Sequence, residues 1–274
     1  MFEEIIRNVR EKSPLVHSIT NYVTVNDCAN TILACGASPI MADDQNEVEE
    51  ITSICNALVI NIGTLNERTI KSMIKAGKKA NELNHPVVLD PVGAGASSLR
   101  TKTTFELLEN IRFAVIRGNV SEIKTVYKGS GTTKGVDADV SDAITEENLE
   151  EAITFTKELS RRTDAVIAIS GAIDIVADKN KAYVIRNGNA LMSRITGTGC
   201  MLASLIGAYC GANPDNILDA AAAASSVMGL AGELAFEKLR KVDGGTSTYR
   251  TFLIDYISKI DEKTLNGGIK IEIR

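Results

Sequence analysis

The sequence has no tryptophan, only two histidines and only five prolines among its 274 residues, and it lacks any Cys-x-x-Cys pair. It contains an odd number of cysteines, at Cys28, Cys35, Cys55, Cys200 and Cys210. This pattern argues against a disulfide framework and favours reduced thiols in an intracellular protein. The first residues are acidic where a signal peptide would be basic, and no apolar core follows them. We therefore expect a cytoplasmic protein.

Positive charge is also scarce. Thirty Lys and Arg residues stand against thirty-five Asp and Glu residues, which gives a formal net charge of −5. This balance argues against nucleic acid or an anionic membrane as the main partner, although it leaves room for a local basic pocket for phosphates. The composition, 44% hydrophobic and 24% charged, is typical of a folded globular protein and excludes a disordered chain.

One stretch lacks charge altogether. No charged residue lies between Arg194 and Asp215, which is long enough for a membrane span. The stretch nevertheless contains four glycines and three hydroxyl residues. A glycine-rich turn that leads into a buried helix explains this composition better than a membrane span does.

Short apolar runs alternate with helical patterns along the chain. Most of the runs are continuous and rich in Val and Ile, as strands buried on both faces are. They are Ser38–Ala42, Ala57–Ile62, Pro86–Pro91, Phe113–Gly118, Ala165–Ser170, Ile173–Ala177 and Ala182–Arg186. The alternation predicts a single three-layer α/β domain over residues 1–274, with a mainly parallel sheet and helices on both faces.

Three helices have recognisable signals. One is predicted over Glu67–Leu83, and a second over Glu146–Arg162 with Thr145 as its N-cap. A third is predicted to open at Asn213, with Pro214 at its first helical position. The last two apolar runs read as a hairpin at one edge of the sheet. Since ligands bind at the carboxyl ends of parallel strands, the site is expected just after the apolar runs.

The strongest local signal is the segment Gly197-Thr198-Gly199-Cys200, which runs directly into an apolar helix. Glycines allow successive amides to point into one concavity, and a helix N-terminus attracts anions. The segment fits neither a Walker A loop nor a dinucleotide fingerprint, because no Lys-Ser/Thr pair follows and Leu202 replaces the third glycine. It is either a phosphate site or a tight turn that permits close packing.

Cys200 lies at the start of that predicted helix, where the helix dipole favours a thiolate and should lower the pKa of the thiol. It could act as a nucleophile or a general base, or it could be a small buried apolar residue. Neither histidine is close in sequence, so a Cys–His pair has little support.

Four polar residues follow predicted buried strands. Asp90 precedes a glycine loop and could face Mg²⁺ or cap a turn, and Glu122 could meet the same metal or be a solvated acid. Arg117 could clamp a phosphate, and Ser170 could contact a nucleotide.

The segments His17–Asn21 and Ala37–Ala42 supply a fourth feature. Asn21 can both donate and accept hydrogen bonds, and Met41 offers a soft apolar wall for a heteroaromatic ring. Both could equally be core or turn residues. His17 is interpreted as a satisfied, partly buried histidine.

Taken in order along nearly the whole chain, these segments resemble the hydroxyethylthiazole kinases of thiamine salvage, within the ribokinase-like superfamily. The Gly-Thr-Gly-Cys sequence is the most specific element, because related superfamily kinases usually carry Asp at the position of Cys200. Ser170 stands where Thr is also common and keeps the hydroxyl group.

The resemblance implies transfer of phosphate from ATP, with Mg²⁺, to the primary alcohol of 4-methyl-5-(2-hydroxyethyl)thiazole. It implies a general-base position for Cys200 and an anion hole formed by Gly197, Thr198 and Gly199. By the same resemblance Arg117 and Ser170 contact ATP, and Asp90 and Glu122 organise Mg²⁺. The resemblance also places Asn21, Met41 and Gly197 around the thiazole pocket, and it implies a homotrimer with active sites at subunit interfaces.

The sequence leaves three alternative functions to compare with this one. The nearest is a ribokinase-like kinase for another heteroaromatic alcohol, hydroxymethylpyrimidine or pyridoxal. An oxidoreductase would need a third fingerprint glycine or a cysteine pair, and the sequence has neither. A protein that binds nucleotide without turnover is the third.

Overall fold

The computed structural model describes residues 1–129 and 143–274, and its nine strands join in one sheet. They are β1 (Leu15–Ile19), β2 (Ser38–Ile40), β3 (Ala57–Asn61), β4 (Val87–Asp90), β5 (Val115–Gly118), β6 (Val166–Ile169), β7 (Asp174–Ala177), β8 (Ala182–Ile185) and β9 (Ile271–Ile273). Each of the seven predicted apolar runs contains a strand. The sequence analysis missed β1, where His17 and Ser18 interrupt the apolar pattern, and β9, where Glu272 separates two isoleucines.

The order across the sheet is β2-β1-β3-β4-β5-β6-β7-β8-β9. The first six of these strands pair in parallel, while β7, β8 and β9 are added antiparallel. This confirms a mainly parallel sheet. The hairpin of β7 and β8 forms as predicted, but it is not the edge of the sheet, because β9 pairs with β8 and covers it.

Helices cover both faces of the sheet and confirm the three-layer α/β prediction. They are α1 (Glu3–Lys12), α2 (Val25–Ala34), α3 (Val48–Ile54), α4 (Glu67–Glu82), α5 (Ser98–Asn110), α6 (Val120–Gly129), α7 (Leu149–Thr163), α8 (Thr198–Ala212), α9 (Ile217–Leu239), α10 (Thr246–Lys259) and α11 (Glu262–Gly268). One apolar core joins the sheet to α1, α2, α8, α9 and α10, and the other joins it to α4, α5, α6 and α7. Successive strand residues feed opposite cores, as Val59 and Ile60 of β3 do.

Two predicted helix starts were wrong. The helix placed at Glu146 begins at Leu149, and Thr145 is not its cap; instead the Thr145 amide donates to the Asn148 side chain at 2.8 Å. Asn213 does not open a helix but ends α8, where its side-chain Nδ2 donates to the carbonyl of Tyr209 at 2.9 Å. The next helix begins four residues later, because the chain must first turn away from α8.

The uncharged stretch forms a turn and the buried helix α8, as predicted. A Cβ atom at Gly207 would lie 2.4 Å from Val59 Cγ2, so the helix backbone rests almost directly on β3. Within the described ranges one helix, Ile217–Leu239, is long and apolar enough to cross a membrane, and 72% of its apolar window is buried inside the fold.

His17 is satisfied but fully buried rather than partly so. Its Nδ1 lies 2.9 Å from Thr52 Oγ1 and its Nε2 lies 2.8 Å from the carbonyl oxygen of Ala42. Burial lowers the pKa of His17, and the Ala42 carbonyl only partly opposes this effect. The contact ties β1 to the end of β2.

We expect this buried histidine to make stability depend on pH. A histidine in the unfolded chain titrates near a pKa of about 6.5. Because the folded pKa is lower, the unfolded chain binds the proton more tightly, and the free energy of unfolding falls as the pH drops below that value. The His17→Gln variant lacks this loss, so its stability deficit relative to the unsubstituted protein should shrink between pH 7.5 and 5, by up to about 1.4 kcal/mol per pH unit.

Urea unfolding at several pH values measures this difference. The matched control is His85→Gln, which removes the other histidine and leaves the His17 contacts intact. Parallel pH curves for the unsubstituted protein and His17→Gln would contradict the prediction.

Candidate active site

The predicted polar residues meet at the end of the sheet that is formed by the carboxyl ends of the parallel strands. The carboxyl ends of neighbouring parallel strands lie side by side, so residues that follow them gather there. These residues are Asn21 after β1, Asn61 at the end of β3, Asp90 at the end of β4, Arg117 in β5 and Ser170 after β6. The sequence analysis singled out all of them except Asn61.

The start of α8 lies against this end of the sheet. Gly197 has φ +86°, and a Cβ atom there would lie 2.3 Å from Thr24 Cγ2, so the position requires glycine twice over. The first helical hydrogen bond runs from the Met201 amide to the Gly197 carbonyl at 2.8 Å. The amides of Thr198, Gly199 and Cys200 precede it, and the first amides of a helix have no partner within the helix. The tight-turn and phosphate-site interpretations are therefore compatible, because the turn presents these amides.

Arg117 is the central charged group of the site. Its Nη1 donates to Asp90 Oδ1 at 3.1 Å and its Nη2 donates to Ser170 Oγ at 2.7 Å, while its Nε is buried and has no hydrogen-bond partner among the described residues. A Cβ atom at Gly199 would lie 2.6 Å from both Nη1 and Nη2. The guanidinium is therefore clamped between two strands and the backbone of α8.

The two predicted metal residues are both engaged by the protein. Asp90 is fully buried, and its Oδ2 accepts from Asn61 Nδ2 at 2.6 Å. Burial raises the pKa of Asp90, and the positive charge of Arg117 opposes this rise.

Glu122 is not a solvated acid, because it is buried and closes a loop. Its Oε1 accepts from the Gly93 amide and its Oε2 from the Asn119 amide, both at 2.8 Å. In return Asn119 Oδ1 accepts from the Glu122 amide at 2.9 Å, which caps α6.

These donors suit Mg²⁺ held through water rather than in a direct protein cage. Across residues 1–129 and 143–274, no three His, Cys, Asp or Glu side chains are grouped to hold an ion by themselves. Mg²⁺ in kinases is commonly held by one or two carboxylates together with waters and phosphates. Asp90 and Glu122 fit that donor set, because each carboxylate oxygen keeps a lone pair after its hydrogen bond.

Cys200 is buried, and Asn21 Nδ2 donates to its Sγ at 3.3 Å. Burial raises the pKa of Cys200, and the negative charge of Asp90 raises it further. The expectation of a lowered pKa was therefore wrong, because burial of the thiolate is the largest effect on this group. The resting group is a thiol.

Asn21 and Met41 differ in how closely they join this site. Asn21 is buried at its centre, where its Oδ1 accepts from the Thr24 amide at 3.1 Å and from Thr24 Oγ1 at 3.0 Å. Met41 is half-buried just beyond β2 and precedes Ala42, whose carbonyl is held by His17. Met41 therefore lies at the same end of the sheet, one strand away from Asn21.

A cavity of about 550 Å³ opens beside Arg117. Four of the predicted site residues line this cavity: Arg117, Ser170, Thr198 and Gly199. The other six do not: Asn21, Met41, Asp90, Glu122, Gly197 and Cys200. The site thus has a cavity side and a cysteine side, and the start of α8 separates them. The volume is in the range of small-molecule and cofactor sites.

Part of the cavity wall was not predicted from the sequence. This part comprises Asp174, Arg186, Asn187, Gly188, Asn189, Ala190, Met192, Ser193, Leu202, Met228 and Gly229. Gly229 in α9 approaches the loop after β8, since a Cβ atom there would lie 2.7 Å from the Asn187 carbonyl oxygen. The Asn187-Gly188-Asn189 turn was the available signal. Nothing in the composition of α9 marks Gly229 as different from its buried neighbours.

Asp174 carries the carboxyl group of that wall. Its Oδ1 accepts from the Gly171 amide at 2.9 Å, which fixes the loop after β6. Burial raises the pKa of Asp174 to about 7, although the Gly171 amide and the charge of Arg117 oppose this effect.

Comparison with known proteins gives a consistent result. A family model described as the hydroxyethylthiazole kinase family matches residues 6–263. The hydroxyethylthiazole kinase of Clostridium acetobutylicum is 59% identical over 272 residues, which cover 99% of each chain. That of Methanobrevibacter smithii is 47% identical over 276 residues, with 98% of this chain and 96% of the relative covered.

Solved structures agree with the sequence relatives. The structure of a hydroxyethylthiazole kinase protein from Pyrococcus horikoshii has a TM-score of 0.88 and 37% identity, and the match covers 100% of this chain and 98% of that one. A pyridoxal kinase from Staphylococcus aureus has a TM-score of 0.60 at 15% identity, covering 95% and 98% of the two chains, and shares the fold alone. The chain therefore belongs to the hydroxyethylthiazole kinase family and has the ribokinase-like fold.

Proposed function

We propose that this protein transfers the γ-phosphoryl group of ATP to the primary alcohol of 4-methyl-5-(2-hydroxyethyl)thiazole. One observation carries the proposal: the start of α8 lies between a cavity of nucleotide-compatible size and a buried cysteine held by Asn21. Donor and acceptor can therefore meet across one set of helix-end amides. Family membership supports the choice of the thiazole alcohol.

ATP is assigned to the cavity side. Arg117 is the cationic group that faces both the cavity and the helix start, and Ser170 adds a hydroxyl group beside it. A guanidinium held on two sides is suited to phosphate oxygens, because its remaining donors already have a fixed direction.

The thiazole alcohol is assigned to the cysteine side, with Asn21, Met41 and Gly197 around the ring. The hydroxyl oxygen attacks the γ-phosphorus, the bond to the bridging β-oxygen breaks, and ADP leaves with that oxygen. The amides of Gly197, Thr198 and Gly199 stabilise the negative charge of the transferring group. Cys200 positions the hydroxyl group and, in its thiolate form, accepts the proton.

Charge neutralisation completes the assignment. We infer that Asp90 and Glu122 hold the waters around a Mg²⁺ ion that accompanies ATP. When bound, this ion would neutralise charge on the phosphates. The two carboxylates are held in place by Asn61, Arg117 and backbone amides, so their positions do not depend on the ion.

We also infer a homotrimer whose subunits complete each other's acceptor sites, in the cytoplasm. Next to Asn21 the side chains of Tyr22 and Val23 are 79% and 58% exposed, which is unusual for apolar groups beside a buried site. Met41 lies at the same end of the sheet, near the edge strand β2. A second copy of the chain placed there would cover these groups and close the pocket. The five free, buried cysteines suit a reducing compartment.

The function is tested by ADP release from purified protein with ATP, Mg²⁺ and the hydroxyethylthiazole. We expect turnover that depends on the thiazole and is lost when Mg²⁺ is removed with a chelator. Hydroxymethylpyrimidine and pyridoxal are the matched alternative acceptors. Turnover with one of those alcohols alone would move the substrate assignment, and ATP binding without turnover on any alcohol would contradict the kinase function.

The next prediction compares how much the helix end and the cysteine each contribute to kcat. In Gly199→Ala the new Cβ displaces the Arg117 guanidinium from Asp90 and Ser170, so we expect kcat to fall about 100-fold or more. The melting temperature should fall as well, because the displaced guanidinium leaves a buried ion pair, so kcat is compared well below that temperature. Cys200→Ser should lose less, because phosphoryl transfer depends mainly on positioning and charge. Equal losses in kcat for the two variants would refute this order.

The oligomer is tested by sedimentation velocity together with kinetics. We expect a species of three chains, and we expect Val23→Asp to shift it towards single chains because a charge would be buried at the contact. The same variant should raise KM for the thiazole while the affinity for ATP is retained. A single-chain species with full activity would overturn the shared-site proposal.

A further inference from the structure

Asn61 lies between the two sides of the site, and the function proposed so far uses it only to hold Asp90. It ends β3 beside Asp90, and it is buried. Its Oδ1 accepts from Asn21 Nδ2 at 3.0 Å and from the Gly63 amide at 2.9 Å. Its Nδ2 donates to Asp90 Oδ2 at 2.6 Å.

These partners fix which way the Asn61 amide faces. A carboxylate only accepts hydrogen bonds and a backbone amide only donates them. The Asn61 nitrogen must therefore face Asp90, and its oxygen must face Gly63. Rotating the side-chain amide by 180° would break both contacts at once.

The orientation of the Asn61 amide also fixes the orientation of Asn21. Because Asn61 offers an oxygen, Asn21 must turn its own nitrogen towards it, and this leaves the second hydrogen of that nitrogen for Cys200 Sγ at 3.3 Å. The Asn21 oxygen is then held by both donors of Thr24. The donor that the sulfur receives is therefore dictated by Asp90, two side chains away.

We propose that Asn61 is a positioning residue for phosphoryl transfer, which orients the Asn21 donor towards the Cys200 sulfur and ties it to the Asp90–Arg117 pair. This inference rests on the proposed function, because it assigns Cys200 to the acceptor side. Asn61 does not line the cavity, and it acts through its contacts with Asn21, Asp90 and the Cys200 sulfur.

The charges and hydrogen-bond donors around the sulfur explain why the loss of Asn61 should affect the ionisation of Cys200. Burial and the negative charge of Asp90 raise the pKa of Cys200, whereas hydrogen bonds from Thr24, Asn21 and Asn61 lower it. Arg117 in β5 is the cation in this group, and Cys28 in α2 is the other thiol that interacts with Cys200. Loss of Asn61 removes a donor and frees Asn21 to rotate, so the sulfur should become harder to ionise.

The first experiment is steady-state kinetics of Asn61→Ala. We expect kcat to fall about 100-fold, as for a small misplacement of reacting groups, with KM for ATP within about threefold of the unsubstituted protein. The matched control is Asn213→Ala, which removes another buried asparagine outside the site. It should lower the melting temperature at least as much while kcat is retained. Equal kcat values for Asn61→Ala and Asn213→Ala would overturn the proposal.

The isosteric variant Asn61→Asp adds a test that a merely structural role would not pass. It keeps an acceptor for Asn21 and Gly63 but places a carboxyl group against Asp90. The donor to Asp90 is lost, while the shape of the side chain is unchanged. We expect kcat to fall about as far as in Asn61→Ala, with KM for ATP again within about threefold, because Asn21 loses its link to the Asp90–Arg117 pair. A kcat close to that of the unsubstituted protein would contradict the role.

A third measurement needs no substrate. Alkylation of Cys200 by iodoacetamide is followed against pH, and Cys200→Ser provides the background from the other four thiols. We expect Asn61→Ala to shift the profile to higher pH and to slow alkylation about tenfold at pH 8, which corresponds to about one pH unit. An unchanged profile would overturn the link to the sulfur. If no alcohol is phosphorylated by the unsubstituted protein, the proposed function fails, and this measurement still decides the role of Asn61.

Discussion

The geometry of the site depends on one buried ion pair, Arg117 with Asp90. Removing two charges from water costs several kcal/mol for each ion, and the pair is stable only because its other atoms are also bound. Asn61 donates to Asp90, and Ser170 accepts from Arg117. The pair therefore holds β3, β4, β5 and β6 in register at their carboxyl ends. An unpaired Arg117 in this place would be costly, yet a pair that left no donor free could not bind phosphate. The buried Nε, which has no hydrogen-bond partner among the described residues, shows that the guanidinium keeps unused capacity.

Helix α8 completes the site around this pair because two residues at its start, Gly197 and Gly199, have no side chains. At Gly199 the backbone approaches the guanidinium more closely than any Cβ would allow, and at Gly197 it approaches Thr24 in the same way. Helix amides and a cation thus face the same small volume, where both would act on a developing negative charge in the proposed reaction. The two glycines are a steric requirement of this approach, and their conformational freedom is needed only at Gly197, where φ is positive.

The order of the layers and the position of the candidate site could be predicted from the sequence, because both follow from local patterns. Continuous Val and Ile runs predict buried parallel strands, and their ends define where Asp90, Arg117 and Ser170 meet. The strands β1 and β9 escaped because polar residues interrupt them, and Asn61 escaped because a single amide at a strand end carries no pattern of its own. The state of Cys200 was mispredicted for a different reason. The helix dipole can be read from position in the chain, whereas burial and the distance to Asp90 exist only in the folded protein.

Under the proposed function, the raised pKa of Cys200 limits what the cysteine can do. A thiolate would repel the phosphates of ATP, and it already faces Asp90 across a short network. A neutral thiol avoids that repulsion while the donor binds, but it cannot accept a second proton, so the sulfur serves as the base only in the fraction of molecules that carry a thiolate. Little depends on that fraction early in the reaction, because the transition state is loose and the alcohol keeps its proton until the phosphoryl group arrives. The donors from Asn21 and Asn61 act against burial and the charge of Asp90, so they set how large the thiolate fraction is at a given pH.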